Sequence, residues 1–386
     1  MRPNMKKTGI LLLILTVLLS SCGIASNEKM AVVKAEQLGV ITYDLAQNGE
    51  MSILPRVELL AGVLSQTSWI RERGPADRGN EYFKELQAFF EPFKDHEAVR
   101  IAQELTDYGF TYDAPVNFIL SVGSLPALEM DAEFSTYLVT RAGGAEKLEK
   151  FRTALVNLAK ESDFDTFYNS NKDRFDEILN QQHSEFDFSD SKAWINDFYG
   201  YSLDSYNIIF APAMFPGGGY SATVNSSAGE TFAYQVIREN GQSETAPSFS
   251  GGLLGLTVHE FSHCFVNPSV EKQSDKFKEY QLNDLFAPVD ELMSRQAYSN
   301  VTVFLNEQII RAITYLALED LADAETATIN KEKDISRGFY LTDYTVEKLR
   351  DYKNNRDTYQ SFDDFTAYLI DCYGEDKHEL LKLLDK

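Results

Sequence analysis

The 386-residue chain has few cysteines, few histidines and a shortage of cationic side chains. It contains three cysteines and five histidines, and 36 Lys and Arg residues are outnumbered by 59 Asp and Glu residues, for a formal net charge of −23. So few cysteines exclude a disulfide framework. The negative field disfavours nucleic acid and anionic lipid surfaces as partners. No Pro-, Ser- or Gly-rich linker and no internal repeat divides the chain, so its length allows one large domain or two lobes.

The N-terminus has the pattern of a targeting segment. Arg2, Lys6 and Lys7 form a basic region, and the apolar stretch Ile10–Leu19 that follows is too short to span a bilayer comfortably. The stretch ends in the sequence LSSCG, which resembles the bacterial lipobox, in which the signal is cut before the cysteine. A plain signal peptide would end in a small-residue site that needs no cysteine.

We therefore predict a lipoprotein signal peptide over residues 1–21 and a tether over residues 22–30 that begins at a lipidated Cys22. Several acyl chains on one cysteine anchor a protein firmly, whereas one chain alone binds only marginally. The expected location is the cell envelope, outside the cytoplasm, on the periplasmic side or the cell surface. No later segment is expected to cross the membrane.

In the rest of the chain, the predicted secondary structure changes from helices to strands near Tyr199. From Tyr82 to about Phe198, apolar residues recur at intervals of three and four, which indicates helices. β-branched and aromatic residues then predict three strands: Tyr206–Phe210, Tyr220–Val224 and Thr231–Ile237. Short strands are also predicted within Met30–Leu45. We predict an α+β fold, mostly helical, with a mainly helical lobe over 31–198 and a zincin-like catalytic lobe over 199–386.

The sequence His259-Glu260-Phe261-Ser262-His263 is the HExxH pattern of zinc-dependent hydrolases. Residues four apart share one face of a helix, so both imidazoles can reach one ion while Glu260 lies beside the attacking water. The predicted helix covers about residues 252–266 and ends at Asn267-Pro268. The alternative interpretation is a pair of hydrogen-bonded core histidines beside a surface glutamate.

A catalytic zinc site usually has three protein ligands and one open position. Histidine is a poor choice for the third ligand, because the only later histidine is His378, near the C-terminus. Glu307 is the only carboxylate in the mostly apolar stretch Val301–Leu318, and a buried carboxylate needs a cation or a metal. Arg311, one turn away, is an alternative partner for it. Glu291 is a second candidate ligand, in more polar surroundings.

These segments resemble a group of bacterial exported proteins that share the domain of unknown function DUF4932. The resemblance covers most of the mature chain and lies on the HExxH segment and on the following sequences: Pro55-Arg56-Val57-Glu58-Leu59-Leu60, Gln296-Ala297-Tyr298, Asn306-Glu307, Ile310-Arg311-Ala312, Gly338-Phe339-Tyr340 and Asn355-Arg356. It implies one integrated unit with a peptidase-like activity. The family's Glu-x-x-x-Arg-Ala segment falls on Glu307, Arg311 and Ala312, which supports Glu307 as the third ligand and a site similar to that of the gluzincins.

The predicted function is a zinc-dependent hydrolase, and specifically a membrane-anchored metallopeptidase with a peptide or protein substrate. His259, His263 and Glu307 would bind Zn²⁺, and Glu260 would act as general base. Candidates for contact with the oxyanion or the substrate are Tyr298, Tyr220 and Arg311. A strand, either Tyr206–Ala213 or Gly219–Val224, would pair with an extended substrate backbone.

Two other functions remain open at this stage. The first is a lipid-anchored binding or scaffold protein with a structural or inactive metal site, which a closed four-ligand site would favour. The second is a zinc hydrolase of a non-peptide amide or ester, which a short closed pocket would favour over an extended groove.

Overall fold

The computed structural model describes residues 51–73, 80–214, 219–239, 249, 252–296 and 298–385. The predicted signal peptide, Cys22, the tether and the strands predicted within Met30–Leu45 therefore lie outside the described residues. The described residues belong to one compact unit, which is mostly helical and contains a four-stranded sheet. The predicted α+β class is confirmed.

Helices make up most of the described chain between residues 55 and 200, and side chains mark where several of them begin. Asn80 and Ser135 accept hydrogen bonds from backbone N–H groups of the first turns that follow them, and Gly109 and Gly200 end helices in the left-handed conformation. The helices are α1 (Pro55–Leu64), α2 (Ser68–Arg73), α3 (Glu81–Phe90), α4 (Glu97–Tyr108), α5 (Asp113–Leu120), α6 (Thr136–Ala142), α7 (Ala145–Glu161), α8 (Phe164–Ser170), α9 (Lys172–Glu185) and α10 (Phe188–Tyr199).

The four strands form a mixed sheet in the order β1-β2-β4-β3. They are β1 (Met51–Ser52), β2 (Ser205–Ala211), β3 (Gly219–Asn225) and β4 (Thr231–Arg238). β1 and β4 flank β2 in parallel, whereas β3 runs antiparallel to β4, with Tyr220 opposite Val236. The three strands predicted after residue 199 are confirmed to within two residues at each end, because each is a short β-branched or aromatic run. β1 was not predicted.

A second set of helices follows the sheet. They are α11 (Leu253–Glu271), α12 (Ser274–Glu279), α13 (Asn283–Phe286), α14 (Asp290–Ser294), α15 (Val301–Leu321), α16 (Ala324–Ser336), α17 (Thr342–Asn354), α18 (Phe362–Glu375) and α19 (Lys377–Leu381). α11 carries the HExxH sequence and packs against α15, β3, β4, α10 and α18. The motif helix is therefore central to the fold.

The prediction that α11 ends at Pro268 is wrong, because the helix continues to Glu271. Proline removes one backbone hydrogen bond from a helix, and here it does so in the last turn, where little of the helix remains to be disrupted. Contacts with a side chain of another helix also stabilise this turn. The Ser269 hydroxyl donates to the Asp363 carboxylate, and Lys272 Nζ lies 2.8 Å from Asp363 Oδ2.

The expectation that no later segment could cross a membrane also needs correction. By length and composition alone, α15 is long and apolar enough to do so. Most of it is buried inside the protein, however, and core helices of this length and composition pass the same test.

Contacts cross the predicted lobe boundary at residue 199, since β1 pairs with β2 and α5 packs on β3. The division into two lobes stays a prediction.

Candidate metal centre

Two packed helices position the three predicted ligands. His259 and His263 lie one turn apart on α11, and their ring centroids are 5.2 Å apart. The other faces of this helix carry the buried side chains of Val258, Phe261 and Phe265, whereas the two imidazoles lie on a partly exposed face. α15 packs against that face and contributes Glu307, which is 7% exposed.

The Glu307 carboxylate faces both imidazoles. Its Oε2 lies 3.5 Å from His259 Nε2, and its Oε1 lies 3.5 Å from His263 Nε2. One ligand atom from each of the three residues lies within 4.8 Å of the other two, so the group could hold a metal ion. Two donors about 2.1 Å from a tetrahedral zinc ion are about 3.4 Å apart. The observed spacing and the donor set of two imidazoles and one carboxylate therefore fit zinc.

Protonation also favours metal binding at His259. Burial lowers the pKa of His259 to about 3, so the imidazole is neutral at neutral pH. Neutral imidazole is the form that binds a metal. Burial opposes ionisation of Glu307, but the charge of the Arg311 guanidinium and its hydrogen bond contribute to a pKa of Glu307 below its usual value. Glu307 is therefore the anionic ligand of the group, and His259 is a neutral nitrogen ligand.

Outer partners orient two of the three ligands. His263 Nδ1 lies 3.2 Å from Asn267 Oδ1, and an Nδ1–H that donates there would leave Nε2 available to a metal ion. Arg311 Nη2 donates to Glu307 Oε2 at 3.0 Å. Arg311 is held in turn by Asp334, at 2.6 Å, and by the ring of Phe339, whose centroid lies 4.2 Å from the guanidinium carbon. Asp334 was not predicted, because it lies 23 residues from Arg311, on another helix.

Glu260 is nearly buried beside the ligands. Burial, with a smaller contribution from the Glu307 charge, raises the pKa of Glu260 to about 8. The β3 strand begins against it. A Cβ atom on Gly219 would lie 2.8 Å from Glu260 Oε1, so the strand approaches this closely only because residue 219 is glycine. A glycine at the start of a predicted strand was the only sequence signal for this contact.

The candidates for oxyanion contact occupy different places. Tyr298 and Arg311 line a cleft of about 740 Å³ together with His259 and Glu260. Tyr220 does not line this cleft. Since Gly219 faces Glu260, and successive residues of a strand point to opposite sides, Tyr220 points to the other face of β3. Its buried hydroxyl has no hydrogen-bond partner among the described residues.

The alternative ligand Glu291 lies outside the described metal group. Its side chain is 83% exposed and pairs with Arg295 on the following turn. A solvated carboxylate at the start of α14 explains this arrangement without a metal.

The two described cysteines are free thiols. Cys264, which follows His263, is buried and accepts a hydrogen bond from Thr223 Oγ1 at 3.1 Å, and Cys372 is also free.

The two strands considered for substrate pairing differ in accessibility. β2 lies between β1 and β4, whereas β3 is at the edge of the sheet in the part of the chain that the structure describes. The Ser221 carbonyl on that edge already accepts a hydrogen bond from Asn117 Nδ2 on α5, at 3.2 Å. Of the two strands, β3 therefore stays the candidate for substrate pairing, and its first residue lies next to Glu260.

Comparison with known proteins identifies a family but no activity. Residues 50–372 match the family model described as Domain of unknown function (DUF4932). No curated protein matches the chain, and no solved structure matches it.

Proposed function

We propose that this chain, which belongs to the DUF4932 family, is a zinc-dependent hydrolase, specifically a metallopeptidase anchored in the cell envelope through Cys22. One observation carries the proposal: His259, His263 and Glu307 converge at the spacing of a tetrahedral zinc site, beside a buried Glu260 and an open cleft. The HExxH helix and the neighbouring sheet edge support a zincin-like catalytic half.

His259, His263 and Glu307 would hold the ion. When bound, zinc would supply Lewis-acid polarisation of the scissile carbonyl and increase the acidity of a water molecule. Glu260 takes the proton from the attacking water and passes it to the leaving amine.

Tyr298 is the best-placed donor for the oxyanion. Arg311 Nη2 donates to the Tyr298 oxygen at 3.1 Å, so the hydroxyl proton of Tyr298 is left for another acceptor. Burial raises the pKa of Tyr298, which keeps that proton in place. Tyr298 lines the cleft beside His259, so a substrate oxygen there can accept from it. Arg311 positions Tyr298, since its own hydrogen bonds go to Glu307, Asp334 and Tyr298.

A peptide is favoured over a small substrate by the form of the cleft. It continues from His259 and Glu260 along α11 and α15 to α16, where it is lined by Thr326 and Asn330. At about 740 Å³ it holds more than one residue of an extended chain. The start of β3 lies next to Glu260, and β3 is at the edge of the described sheet, so it would supply the backbone for pairing.

The first test is the zinc content of the full-length chain in detergent, measured by elemental analysis after reconstitution and dialysis. About one zinc per chain in the wild type, lost in His263→Ala and kept in His183→Ala, supports the metal site. His183 is the matched control, because it is an exposed histidine on α9. A wild-type chain without zinc overturns the proposal.

The second test separates a hydrolase from a binding protein with a structural or inactive site. A peptide library is incubated with the zinc-loaded wild type and with Glu260→Gln, and products are identified by mass spectrometry. Cleavage by the wild type, with zinc retained and cleavage abolished in the variant, supports the metallopeptidase. Equal cleavage by both proteins would remove Glu260 from the mechanism.

A further inference from the structure

Gly255 creates space in the cleft next to the candidate metal centre. It lies on α11 four residues before His259, and therefore on the same face of the helix. A Cβ atom added there would meet Leu318 Cδ1 at 3.5 Å and Thr314 Cγ2 at 3.7 Å, which are ordinary contact distances. A small side chain would thus fit at position 255, and a large one would occupy the cleft.

The described side-chain atoms nearest to position 255, which belong to Leu318 and Thr314, carry no charge. Leu256 on α11, with Thr314 and Leu318 on α15, line the same part of the cleft, and Leu256 and Thr314 are each partly exposed. The charged residues that line the cleft lie on other helices, with Glu185 at the end of α9 and Lys333 on α16. Burying a charged substrate group beside Gly255 would remove its water without supplying a partner. An apolar group would instead be stabilised by its removal from water.

We propose that the groove beside Gly255 is a substrate subsite that takes an apolar side chain, of the size of leucine, from the residue adjoining the cleaved bond. The groove is continuous with His259 and Glu260, which places its occupant one residue from the reacting carbonyl. Gly255 sets the depth of the subsite, and Leu318 forms its floor. This inference rests on the proposed function.

The test uses hydroxamates, which bind zinc directly, so no turnover is needed. Three dipeptide hydroxamates that differ in one side chain (hydrogen, isobutyl or benzyl) are titrated calorimetrically into the zinc-loaded full-length chain in detergent. In the wild type, the isobutyl compound should bind about 10- to 100-fold more tightly than the hydrogen compound. In Gly255→Leu this ratio should fall to about one, with the affinity of the hydrogen compound unchanged.

Two further variants keep the test decisive if Gly255→Leu fails to fold. Gly255→Ala adds one methyl group at contact distance and improves helix propensity, and it should reduce the preference for isobutyl over hydrogen. Glu271→Leu adds the same leucine to an exposed position at the end of α11 and should leave all affinities unchanged.

The outcomes separate the subsite from the metal site. Affinities that do not depend on side-chain size in the wild type overturn the subsite and leave the zinc site standing. A size preference that Gly255→Leu and Gly255→Ala both retain also overturns it. A wild-type chain that holds no zinc, measured by elemental analysis on the same sample, overturns the proposed function and the subsite together.

Discussion

Glu307 shares its carboxylate between Arg311 and the two motif histidines. Oε2 accepts from Arg311 at 3.0 Å and also lies 3.5 Å from His259 Nε2, while Oε1 lies 3.5 Å from His263 Nε2. Arg311 therefore does not remove Glu307 from the candidate metal centre. It holds the carboxylate in the orientation in which both oxygens face the imidazoles, and so the two alternatives that the sequence left open for Glu307 are compatible.

Replacing Glu307 with alanine is expected to weaken zinc binding without unfolding the chain. Loss of a ligand should raise the dissociation constant by more than the about 10- to 100-fold typical of an outer partner. Competition with a fluorescent chelator measures it. Glu291→Ala is the control and should bind zinc as the wild type does, because Glu291 is exposed and paired with Arg295. Zinc loss in Glu291→Ala alone would move the ligand assignment there.

Replacing Tyr298 with phenylalanine is expected to lower kcat/KM for a cleaved peptide by about 10²- to 10³-fold, because one oxyanion donor is lost. Zinc content should not change, since no metal ligand is altered. Tyr220→Phe is the matched control and should keep its activity, as Tyr220 does not line the cleft. The reverse pattern in steady-state kinetics would exchange the two roles.

Replacing Gly219 with alanine is expected to reduce turnover while zinc binding is retained. The new Cβ atom would lie 2.8 Å from Glu260 Oε1, so Glu260 or the start of β3 must move. A displacement of about 1 Å costs on the order of 10²-fold in rate. Kinetics and zinc content are measured together, with Ser221→Ala on the same strand as the control. Wild-type kcat in Gly219→Ala would show that this contact does not position Glu260.

Stability should decrease with rising pH because of a second buried carboxyl group, Glu58 on α1. Burial raises the pKa of Glu58 to about 8, although the Tyr82 hydroxyl and the Ala213 backbone oppose the shift. The folded chain then keeps a proton that the unfolded chain releases near pH 4.5. The free energy of unfolding should fall by up to about 1.4 kcal/mol per pH unit between about pH 5 and pH 8, and then level off.

Denaturant unfolding across this pH range tests the role of Glu58. Glu58→Gln should reduce the slope by up to about 1.4 kcal/mol per pH unit and leave the contribution of Glu260, whose pKa is also raised to about 8. Glu104→Gln, at an exposed position on α4, should preserve the slope. An unchanged slope in Glu58→Gln would assign the pH dependence to other groups.

Lipidation of Cys22 can be tested on the intact chain. The wild type should fractionate with membranes and carry the mass of acyl chains on a peptide that begins at Cys22. Cys22→Ser should lose both properties, whereas Cys372→Ser, which alters a buried thiol, should keep them. A soluble, unmodified wild-type protein would contradict the predicted anchor.

The sequence by itself determined the local features of this protein. The strands around residues 208, 222 and 234 and the HExxH helix were predictable, because the spacing of apolar residues within each segment sets its structure. The shared face of His259 and His263 follows from helix geometry alone. The end of this helix was predicted too early, at Pro268, because the effect of a proline depends on the surroundings of the last turn.

Only the tertiary structure decided which distant residues meet. The approach of Glu307 to His259, of Asp334 to Arg311 and of Gly219 to Glu260 joins residues separated by more than 20 positions. The orientation of Tyr220 away from the cleft depends on the register of β3 and on its packing against α11. Local periodicity carries no information on such pairs, since they are set by how helices and sheet pack around a common core.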